Sequence, residues 1–163
     1  MTTATATDTT FLMPMETPIG QVVLESDGEV LVGLWLPVTG RSTKASGPDV
    51  PQVIRTAIRQ LEEYFAGERQ DFDIPMELDG TPFQKDVWAE LSRIPYGETI
   101  SYGELARRVG RPKGPRAVGQ ANGKNPIAII VPCHRVLAST GIGGYGGGLP
   151  MKRSLLAIEG VTA

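Results

Sequence analysis

The only cysteine and the only histidine of the chain are adjacent, at Cys133 and His134, within Pro132-Cys133-His134-Arg135-Val136. A cysteine attacks carbon as a thiolate, and a free thiol with a pKa of about 8.5 is only slightly ionised at neutral pH. Histidine titrates near neutral pH and is well suited to accept the thiol proton. The pair therefore indicates nucleophilic chemistry at Cys133.

Contact between these two side chains requires a particular backbone. Neighbours in an extended chain point to opposite faces, so the chain must turn or begin a helix at Cys133, and Pro132 favours such a break. The apolar, β-branched residues 127–131 precede it and are typical of a buried strand. A lone cysteine beside a strand is often a small buried hydrophobe, and these residues alone leave that alternative open.

The composition excludes several classes of protein. One cysteine forms no internal disulfide, and with one histidine it is too few for a zinc site unless several carboxylates join them. The longest apolar run, residues 127–131, is far shorter than the roughly 20 residues that cross a bilayer. We therefore expect a soluble, cytoplasmic protein without membrane contact or a structural metal.

The charges are unevenly distributed along the chain. Residues 1–100 contain 7 Lys and Arg against 16 Asp and Glu, a net charge of −9, whereas residues 101–163 contain 9 against 2, a net charge of +7. A basic half indicates an anionic partner, nucleic acid first, although a solvated basic face has the same composition.

The first part of the chain has the pattern of a small antiparallel sheet. Residues 21–26 and 30–36 are strand-like and meet at Asp27-Gly28, a strong hairpin turn signal. Residues 11–15 can add a third strand.

A helix and two loop-like segments complete this part. Apolar residues repeat at helical spacing over residues 53–65, and Gly67 ends the helix. The Thr- and Ala-rich residues 1–10 are predicted to be a disordered tail, and residues 40–51 a loop. We predict an N-terminal α/β domain over residues 11–79.

A second, mostly helical domain is predicted over residues 80–163. Thr81 is a suitable N-cap, and Pro82 suits the first helical position. The break Pro95-Tyr96-Gly97 ends this helix. Its apolar face consists of Phe83, Val87, Trp88 and Leu91.

Two short helices follow. Ser101 and Glu104 are spaced as a capping box for a helix that Gly110 and Pro112 end, and another helix can begin near Gly114. Two helices around a glycine-containing turn fit a helix-turn-helix of winged-helix type, although many helix pairs bind no DNA. The basic balance of residues 101–163 favours DNA binding.

The segment around Cys133 resembles the active-site motif of the O6-alkylguanine-DNA alkyltransferases, also called methylated-DNA-protein-cysteine methyltransferases. The resemblance covers about 80 residues in order. Further motifs that carry it are Thr81-Pro82-Phe83-Gln84, Ile94-Pro95-Tyr96-Gly97-Glu98-Thr99, Ser101-Tyr102-Gly103-Glu104-Leu105, Arg116-Ala117-Val118-Gly119, Asn122-Gly123-Lys124-Asn125-Pro126 and Gly144-Tyr145-Gly146-Gly147.

The resemblance implies a DNA repair protein. Such a protein binds double-stranded DNA through the minor groove, flips O6-alkylguanine, chiefly O6-methylguanine, out of the duplex and transfers the alkyl group irreversibly to Cys133. Because no group in the sequence could remove the alkyl group again, each molecule acts once. No metal or organic cofactor is implied, and a monomer is expected.

The resemblance also implies roles for particular catalytic residues. Glu159 orients His134, and these two residues, a water and Cys133 form a proton relay. Tyr102 donates a proton to N3 of the flipped guanine as the purine leaves. Asn125 links the helix-turn-helix to the active-site loop through hydrogen bonds.

Other residues are implied in the substrate pocket and in DNA binding. The pocket residues are Tyr145, which stacks on the base, Gly146, whose N–H meets guanine O6, and Val136. Arg116 fills the space left by the flipped base. Arg135 either anchors the loop or binds phosphate. Three small residues of the second helix allow close approach to the duplex but suit helix packing equally well: Ala117, Gly119 and Ala121.

Three other functions fit the sequence less well. A lesion sensor of the same fold would not need Cys133. A cysteine hydrolase would rarely use adjacent residues as its nucleophile and base. A transcription factor would be expected to present base-reading side chains where this helix has small residues.

Overall fold

The computed structural model describes residues 10–37, 49–111 and 114–162. The chain divides into two compact units, Met1–Leu78 and Asp79–Ala163. Residues 1–9 of the predicted tail, most of the predicted loop of residues 40–51 and Pro112 lie outside the described residues.

The first unit contains an antiparallel sheet in the order β1-β2-β3. Its strands are β1 (Phe11–Thr17), β2 (Gly20–Ser26) and β3 (Leu31–Trp35), which confirms the predicted third strand. The hairpin turn at Asp27-Gly28 is also confirmed. Asp27 Oδ1 accepts hydrogen bonds from the backbone N–H groups of Glu29 and Val30, and Gly28 has φ +109°, which glycine adopts without steric penalty.

One helix, α1 (Gln52–Phe65), packs its inward face on this sheet. Helical spacing of apolar residues places them on that face, as predicted, and Gly67 follows the helix with φ +78°. The face also holds the polar Gln60, whose amide exchanges two hydrogen bonds with the backbone of Asp73. The apolar members buried there are Val53, Ile54, Ala57, Leu61 and Tyr64.

The second unit begins with α2 (Pro82–Leu91). Thr81 is its N-cap as predicted, because the Thr81 hydroxyl accepts from Gln84 N while Gln84 Oε1 accepts from Thr81 N. The predicted end at Pro95 is wrong. The helix stops at Leu91, where Ile94 N donates to Leu91 O and tightens the chain into a turn.

Two short helices follow, α3 (Tyr102–Arg108) and α4 (Pro115–Gly123). Ser101 caps α3 by accepting from Glu104 N, but only half of the predicted capping box forms. The Glu104 carboxylate instead pairs with Arg107 and Arg108 on its own helix. Competition from these two cations is the physical reason for the difference.

The expectation of a strand at residues 127–131 is wrong. The backbone turns there, with Ile130 N donating to Ala128 O and Val131 N to Ile127 O, and Ile129 has φ +72°. Such a φ in a β-branched residue costs about 1–3 kcal/mol and requires support. The Asn125 side chain supplies it, accepting from Ile127 N and donating to Val131 O, so that it ties both ends of the run together.

The chain then forms a short 3₁₀ helix, Cys133–Arg135, which confirms the predicted turn at the cysteine. β5 (Val136–Leu137) pairs in parallel with β4 (Ile100–Ser101), and the described part of the unit ends with α5 (Leu149–Ile158). Within the described ranges, every helix is too short or too polar to cross a bilayer.

Candidate active site

Cys133 lies at the start of the 3₁₀ helix, with 6% of its surface exposed. Burial raises the pKa of its thiol above the usual value. Hydrogen bonds from the Asn125 side chain, from the backbone and from the Tyr145 side chain, together with the positive charge of Lys152, oppose that shift. The resting group is therefore a neutral thiol, and the same hydrogen bonds and the Lys152 charge reduce the cost of forming the thiolate.

His134 and Glu159 form a buried pair, with His134 Nε2 2.7 Å from Glu159 Oε2. Burial lowers the pKa of His134, while the carboxylate beside it acts in the opposite direction. Glu159 also accepts two hydrogen bonds from Arg135, so it is an ionised acceptor and Nε2 of a neutral His134 must donate to it. Nδ1, which is buried without a hydrogen-bond partner in the described part of the chain, then carries the lone pair. His134 can accept a proton there.

Arg135 anchors this turn. Its guanidinium donates to both carboxylate oxygens of Glu159 and, through Nη1, to Ile94 O at 2.6 Å, and it lies over the Tyr96 ring. Only 6% of the residue is exposed. Of the two roles left open for Arg135, the geometry favours anchoring the loop over binding phosphate, because its donors are directed into the protein.

Tyr102, the first residue of α3, lines a cleft of about 520 Å³. Burial raises the pKa of its hydroxyl, and so does negative charge on Cys133, whereas hydrogen bonds from the Asn122 side chain and the Gly144 backbone lower it. The hydroxyl is thus protonated at neutral pH and can donate. The other lining residues are Ser101, Gly103, Pro115, Arg116, Gly119, Ala138 and Ser139.

Two glycines face the Tyr102 ring, and only one of the two positions requires glycine. A Cβ at Gly119 would lie 3.7 Å from the ring, which is ordinary contact, but one at Gly143 would lie 3.2 Å from the ring and 3.1 Å from Ala138 N. Gly143 also has φ +77°. The loop after β5 can therefore approach Tyr102 closely only because residue 143 has no side chain.

The predicted pocket residues occupy different environments. Tyr145 is half-buried, and its side chain reaches Cys133, whereas Gly146 is exposed. Val136 is fully buried, and its carbonyl accepts from Lys152. The role of Val136 in a substrate pocket stays a prediction.

The helix α4 divides its predicted DNA-binding residues between two faces. Arg116 and Ala117 are exposed in its first turn, and Gly119 is half-buried. Ala121 is 3% exposed, and its carbonyl accepts from Trp88 Nε1 at 2.8 Å, which joins α2 to α4. The DNA-binding assignment of Ala121 is wrong, because this residue faces the protein core.

Two buried polar residues near the site, Asn122 and Lys152, were not predicted from the sequence. Asn122 donates from Nδ2 to Cys133 O at 3.3 Å. Lys152 is fully buried, and its Nζ donates to the carbonyls of Val136, Ile142 and Gly144 at 2.7, 2.6 and 3.0 Å. Burial lowers the pKa of Lys152 to about 8.

A signal for both residues was present in the sequence. Helical spacing of i, i+3, i+4 and i+7 places four residues on one face. Asn122 falls within such a stripe with Val118, Ala121 and Asn125, and Lys152 falls within another with Leu155, Leu156 and Glu159. A polar residue inside an inward stripe is the pattern that would have indicated a buried hydrogen-bonding role.

Fewer cations lie on the surface of residues 101–163 than the sequence contains. Of the nine cations in residues 101–163, Arg135 and Lys152 are buried. Those with exposed side chains along the described residues are Arg107, Arg108, Arg111, Arg116, Lys124 and Arg153.

Within the same described ranges, His, Cys, Asp and Glu side chains form no group of three that could hold a metal ion.

Two family models match the chain. The one described as 6-O-methylguanine DNA methyltransferase, ribonuclease-like domain, matches residues 12–78. The one described as 6-O-methylguanine DNA methyltransferase, DNA binding domain, matches residues 82–161. The chain belongs to the 6-O-methylguanine DNA methyltransferase family, as its motifs predicted.

Individual relatives agree with this assignment. The methylated-DNA-protein-cysteine methyltransferase of Mycobacterium tuberculosis is 49% identical over 147 residues, which cover 89% of each chain. That of Methanosarcina acetivorans is 49% identical over 150 residues, covering 89% of this chain and 95% of the relative. The crystal structure of M. tuberculosis OGT in complex with DNA matches with a TM-score of 0.83 and 48% identity over 91% of each chain. The predicted fold class is confirmed.

Proposed function

We propose that this protein repairs DNA by moving the alkyl group of O6-alkylguanine, chiefly O6-methylguanine, onto the sulfur of Cys133. It would thus act as a methylated-DNA-protein-cysteine S-methyltransferase. The observation that carries the proposal is a buried thiol at Cys133 followed directly by His134, whose Nε2 is held by Glu159 and whose lone pair is therefore left at Nδ1. The names of the relatives given above support the same activity.

The transfer is a displacement at the alkyl carbon. The thiol proton moves through a water to His134 Nδ1, and the imidazolium is stabilised by Glu159. Sulfur forms a bond to the alkyl carbon as the bond from that carbon to O6 breaks. Guanine leaves as an anion that takes a proton at N3 from Tyr102, and the phenolate recovers its proton from the imidazolium. The net change exchanges the thiol hydrogen for the alkyl group.

Residues 80–163 serve as the DNA-binding and alkyl-transfer domain, and residues 11–79 as the N-terminal α/β domain. The helices α3 and α4 act as a helix-turn-helix in the minor groove. Arg116, exposed at the edge of the cleft, occupies the space that the flipped base vacates. Ala117 and Gly119 keep this part of α4 narrow, which lets the helix lie close to the duplex.

The remaining pocket contacts follow from the loop after β5. Tyr145 stacks on the flipped base and the exposed Gly146 N–H meets guanine O6. Asn125 holds the turn before Cys133 in place. Each protein molecule acts once, since the thioether formed at Cys133 offers no ready leaving group for regeneration. The protein acts as a monomer in the cytoplasm.

Mass spectrometry of the reacted protein tests the proposal. The protein is incubated with duplex DNA containing O6-methylguanine and then digested, and one methyl group is expected on the peptide that contains Cys133. Cys133→Ala should take up no methyl group yet still shift the duplex in an electrophoretic assay, because the thiol contributes chemistry and little to DNA affinity. A methyl group on another residue of the parent protein would overturn the proposal.

A further inference from the structure

Arg135 is buried against Glu159, and its guanidinium makes three directed hydrogen bonds. Nε donates to Glu159 Oε1 at 2.8 Å and Nη2 to Glu159 Oε2 at 3.0 Å, so the guanidinium spans both carboxylate oxygens. Nη1 donates to Ile94 O at 2.6 Å. A two-pronged pair of this kind fixes the orientation of both partners as well as their separation. Arg135 therefore sets the plane of the carboxylate that His134 contacts.

The Glu159 carboxylate is held by further donors. Oε2 also accepts from His134 Nε2 at 2.7 Å, and Oε1 also accepts from Gly97 N at 3.3 Å. Each oxygen thus accepts two hydrogen bonds, which matches the roughly four lone-pair sites of an ionised carboxylate. The carboxylate cannot rotate away from His134 without breaking its bonds to Arg135.

The charge of Arg135 opposes the effect of Glu159 on His134. A buried carboxylate beside an imidazole favours the imidazolium, which has no lone pair with which to take the thiol proton. Burial lowers the pKa of His134 and Glu159 raises it, while the positive charges of Arg135 and Lys152 add to the effect of burial. The cation bonded to Glu159 therefore offsets the carboxylate at the point where it acts on the ring.

We propose that Arg135 is a positioning residue that neutralises Glu159 and thereby keeps His134 uncharged at neutral pH, so that Nδ1 can accept the proton of Cys133. This inference rests on the proposed alkyl transfer. An anchoring role alone would explain the bond to Ile94 O but would need no charge at residue 135. The distinguishing property is the protonation of His134 in folded variants that lack the cation.

The other groups around the 3₁₀ helix do not take this place. Lys152 of α5 directs its Nζ to three backbone carbonyls, and the Tyr96 hydroxyl donates to Ile158 O. The helix α2 packs on the 3₁₀ helix with an apolar buried face, Val87, Trp88 and Leu91. Its charged residues lie elsewhere, since Lys85 and Asp86 are exposed and Glu90 pairs with Arg93.

His134 is the only histidine of the chain, so its ring can be followed directly. Nitrogen-15 NMR of histidine-labelled protein shows which ring nitrogen carries the hydrogen and the pH at which the ring titrates. Arg135→Met removes the charge and should shift the titration to higher pH, because the carboxylate is no longer offset. Arg135→Lys keeps the charge and should titrate close to the parent. A folded Arg135→Met with the parental titration would overturn the inference.

A double variant separates this effect from unfolding. Arg135→Met combined with Glu159→Gln leaves no uncompensated charge, and neutral replacement of a buried ion pair is often tolerated. Because the two charges offset one another, His134 in this variant should titrate close to the parent. If Arg135 contributed nothing, loss of the carboxylate would move the titration to much lower pH, and that result would also overturn the inference.

The pH dependence of transfer gives a functional readout. Single-turnover rates with free O6-benzylguanine should reach their plateau at higher pH in Arg135→Met than in the parent. In the acid limb the variant should be about tenfold slower or more, since a charge at this distance changes a pKa by about one unit or more, while the rates converge at high pH. Arg93→Met, which removes an exposed ion pair, is the matched control and should keep the parental profile. An equal loss at every pH would reduce Arg135 to an anchor.

The two proposals fail in different ways. If the parent protein does not methylate Cys133, the proposed function fails, while the titration of His134 still decides whether Arg135 controls its charge. If the parent transfers the alkyl group and folded Arg135→Met titrates as the parent does, the function stands and the role of Arg135 is wrong.

Discussion

At the level of single residues, the carboxylate of Glu159 determines the protonation state of the site. It accepts hydrogen bonds from His134 and from Arg135, and all three side chains are buried. Because Glu159 is an acceptor toward both, the hydrogen of a neutral His134 is held at Nε2. The lone pair at Nδ1 is the consequence on which the proton transfer depends.

Glu159→Gln should weaken both the fold and the reaction. The substitution keeps the size of the side chain but leaves the buried Arg135 guanidinium without a counter-charge. Breaking one partner of a buried ion pair costs about 3–5 kcal/mol, and we expect a loss of that order in the free energy of unfolding, measured with urea. Glu104→Gln, which removes an exposed carboxylate, is the control and should change little. Parental stability in Glu159→Gln would contradict the buried ion pair.

The stability of the protein should depend on pH through His134. Burial holds the pKa of His134 in the folded protein below 6.5, its value in the unfolded chain. At pH values between the folded and the unfolded pKa, the unfolded chain therefore binds more protons than the folded protein. This contribution to stability is present above pH 6.5 and is lost as the pH falls through the lower, folded pKa. Urea midpoints from about pH 7.5 to 5.5 should fall more steeply for the parent than for His134→Gln. Parallel curves would contradict a buried neutral histidine.

At the level of elements, α4 presents two faces that suit different tasks. Its inner face is held to α2 by the bond from Trp88 to Ala121, while its first turn is exposed at Arg116 beside the cleft. A helix fixed on one side can place a side chain reproducibly on the other. The proposed role of Arg116 in base flipping depends on that rigidity.

Arg116→Ala should slow repair of duplex DNA far more than reaction with a free base. Arg116 would stabilise the flipped state by filling the space that the base leaves in the stack. Flipping costs a few kcal/mol in a duplex and nothing for free O6-benzylguanine, so only the duplex reaction needs this stabilisation. Single-turnover rates on the two substrates make the comparison. Arg93→Ala, at an exposed arginine just after α2, is the matched control and should retain both rates. Equal losses on both substrates in Arg116→Ala would remove it from the flipping role.

Local chemistry explains which elements the sequence could predict. The cap at Thr81 and the turn at Asp27-Gly28 depend on neighbouring residues and are confirmed. Residues 127–131 have the composition of a strand because they are buried, but their turns are imposed by the Asn125 side chain. The partners of Lys152 are backbone carbonyls of another segment, which only the folded chain brings together.

The same reasoning applies to the candidate site. Residue type alone singled out Cys133 and His134, and the family resemblance supplied Glu159 as a partner. In the structure Arg135 and Ala121 are buried, whereas Arg116 is exposed. The spacing of residues in the sequence does not predict whether a single arginine after a turn faces the protein or the solvent. The roles proposed for these residues in catalysis and DNA binding remain predictions.

At the level of the whole molecule, the distribution of charge favours an anionic partner for the C-terminal half. Residues 101–163 carry a net charge of +7, but two of the cations are buried and Glu104 pairs with two others. The cations available to phosphate are therefore fewer than composition suggests. A moderate electrostatic contribution to DNA affinity follows.

DNA affinity should fall as salt rises. Each neutralised phosphate contributes a slope of about −0.9 to a plot of log affinity against log salt concentration, because counterions are released on binding. Lys124→Ala, at an exposed position after α4, should make the slope shallower by about one unit if Lys124 meets a phosphate. A flat titration of the parent protein would instead assign the basic residues to a solvated face.

The stoichiometry of repair tests the central claim most directly. The protein is mixed with a large excess of duplex containing O6-methylguanine, and repaired duplex is counted at the plateau for several protein concentrations. Since the alkyl group stays on Cys133, the account predicts one repaired base per protein molecule, with the methyl group recovered on the Cys133 peptide. Product that continues to accumulate beyond one equivalent, or a plateau reached without methylated Cys133, would contradict it.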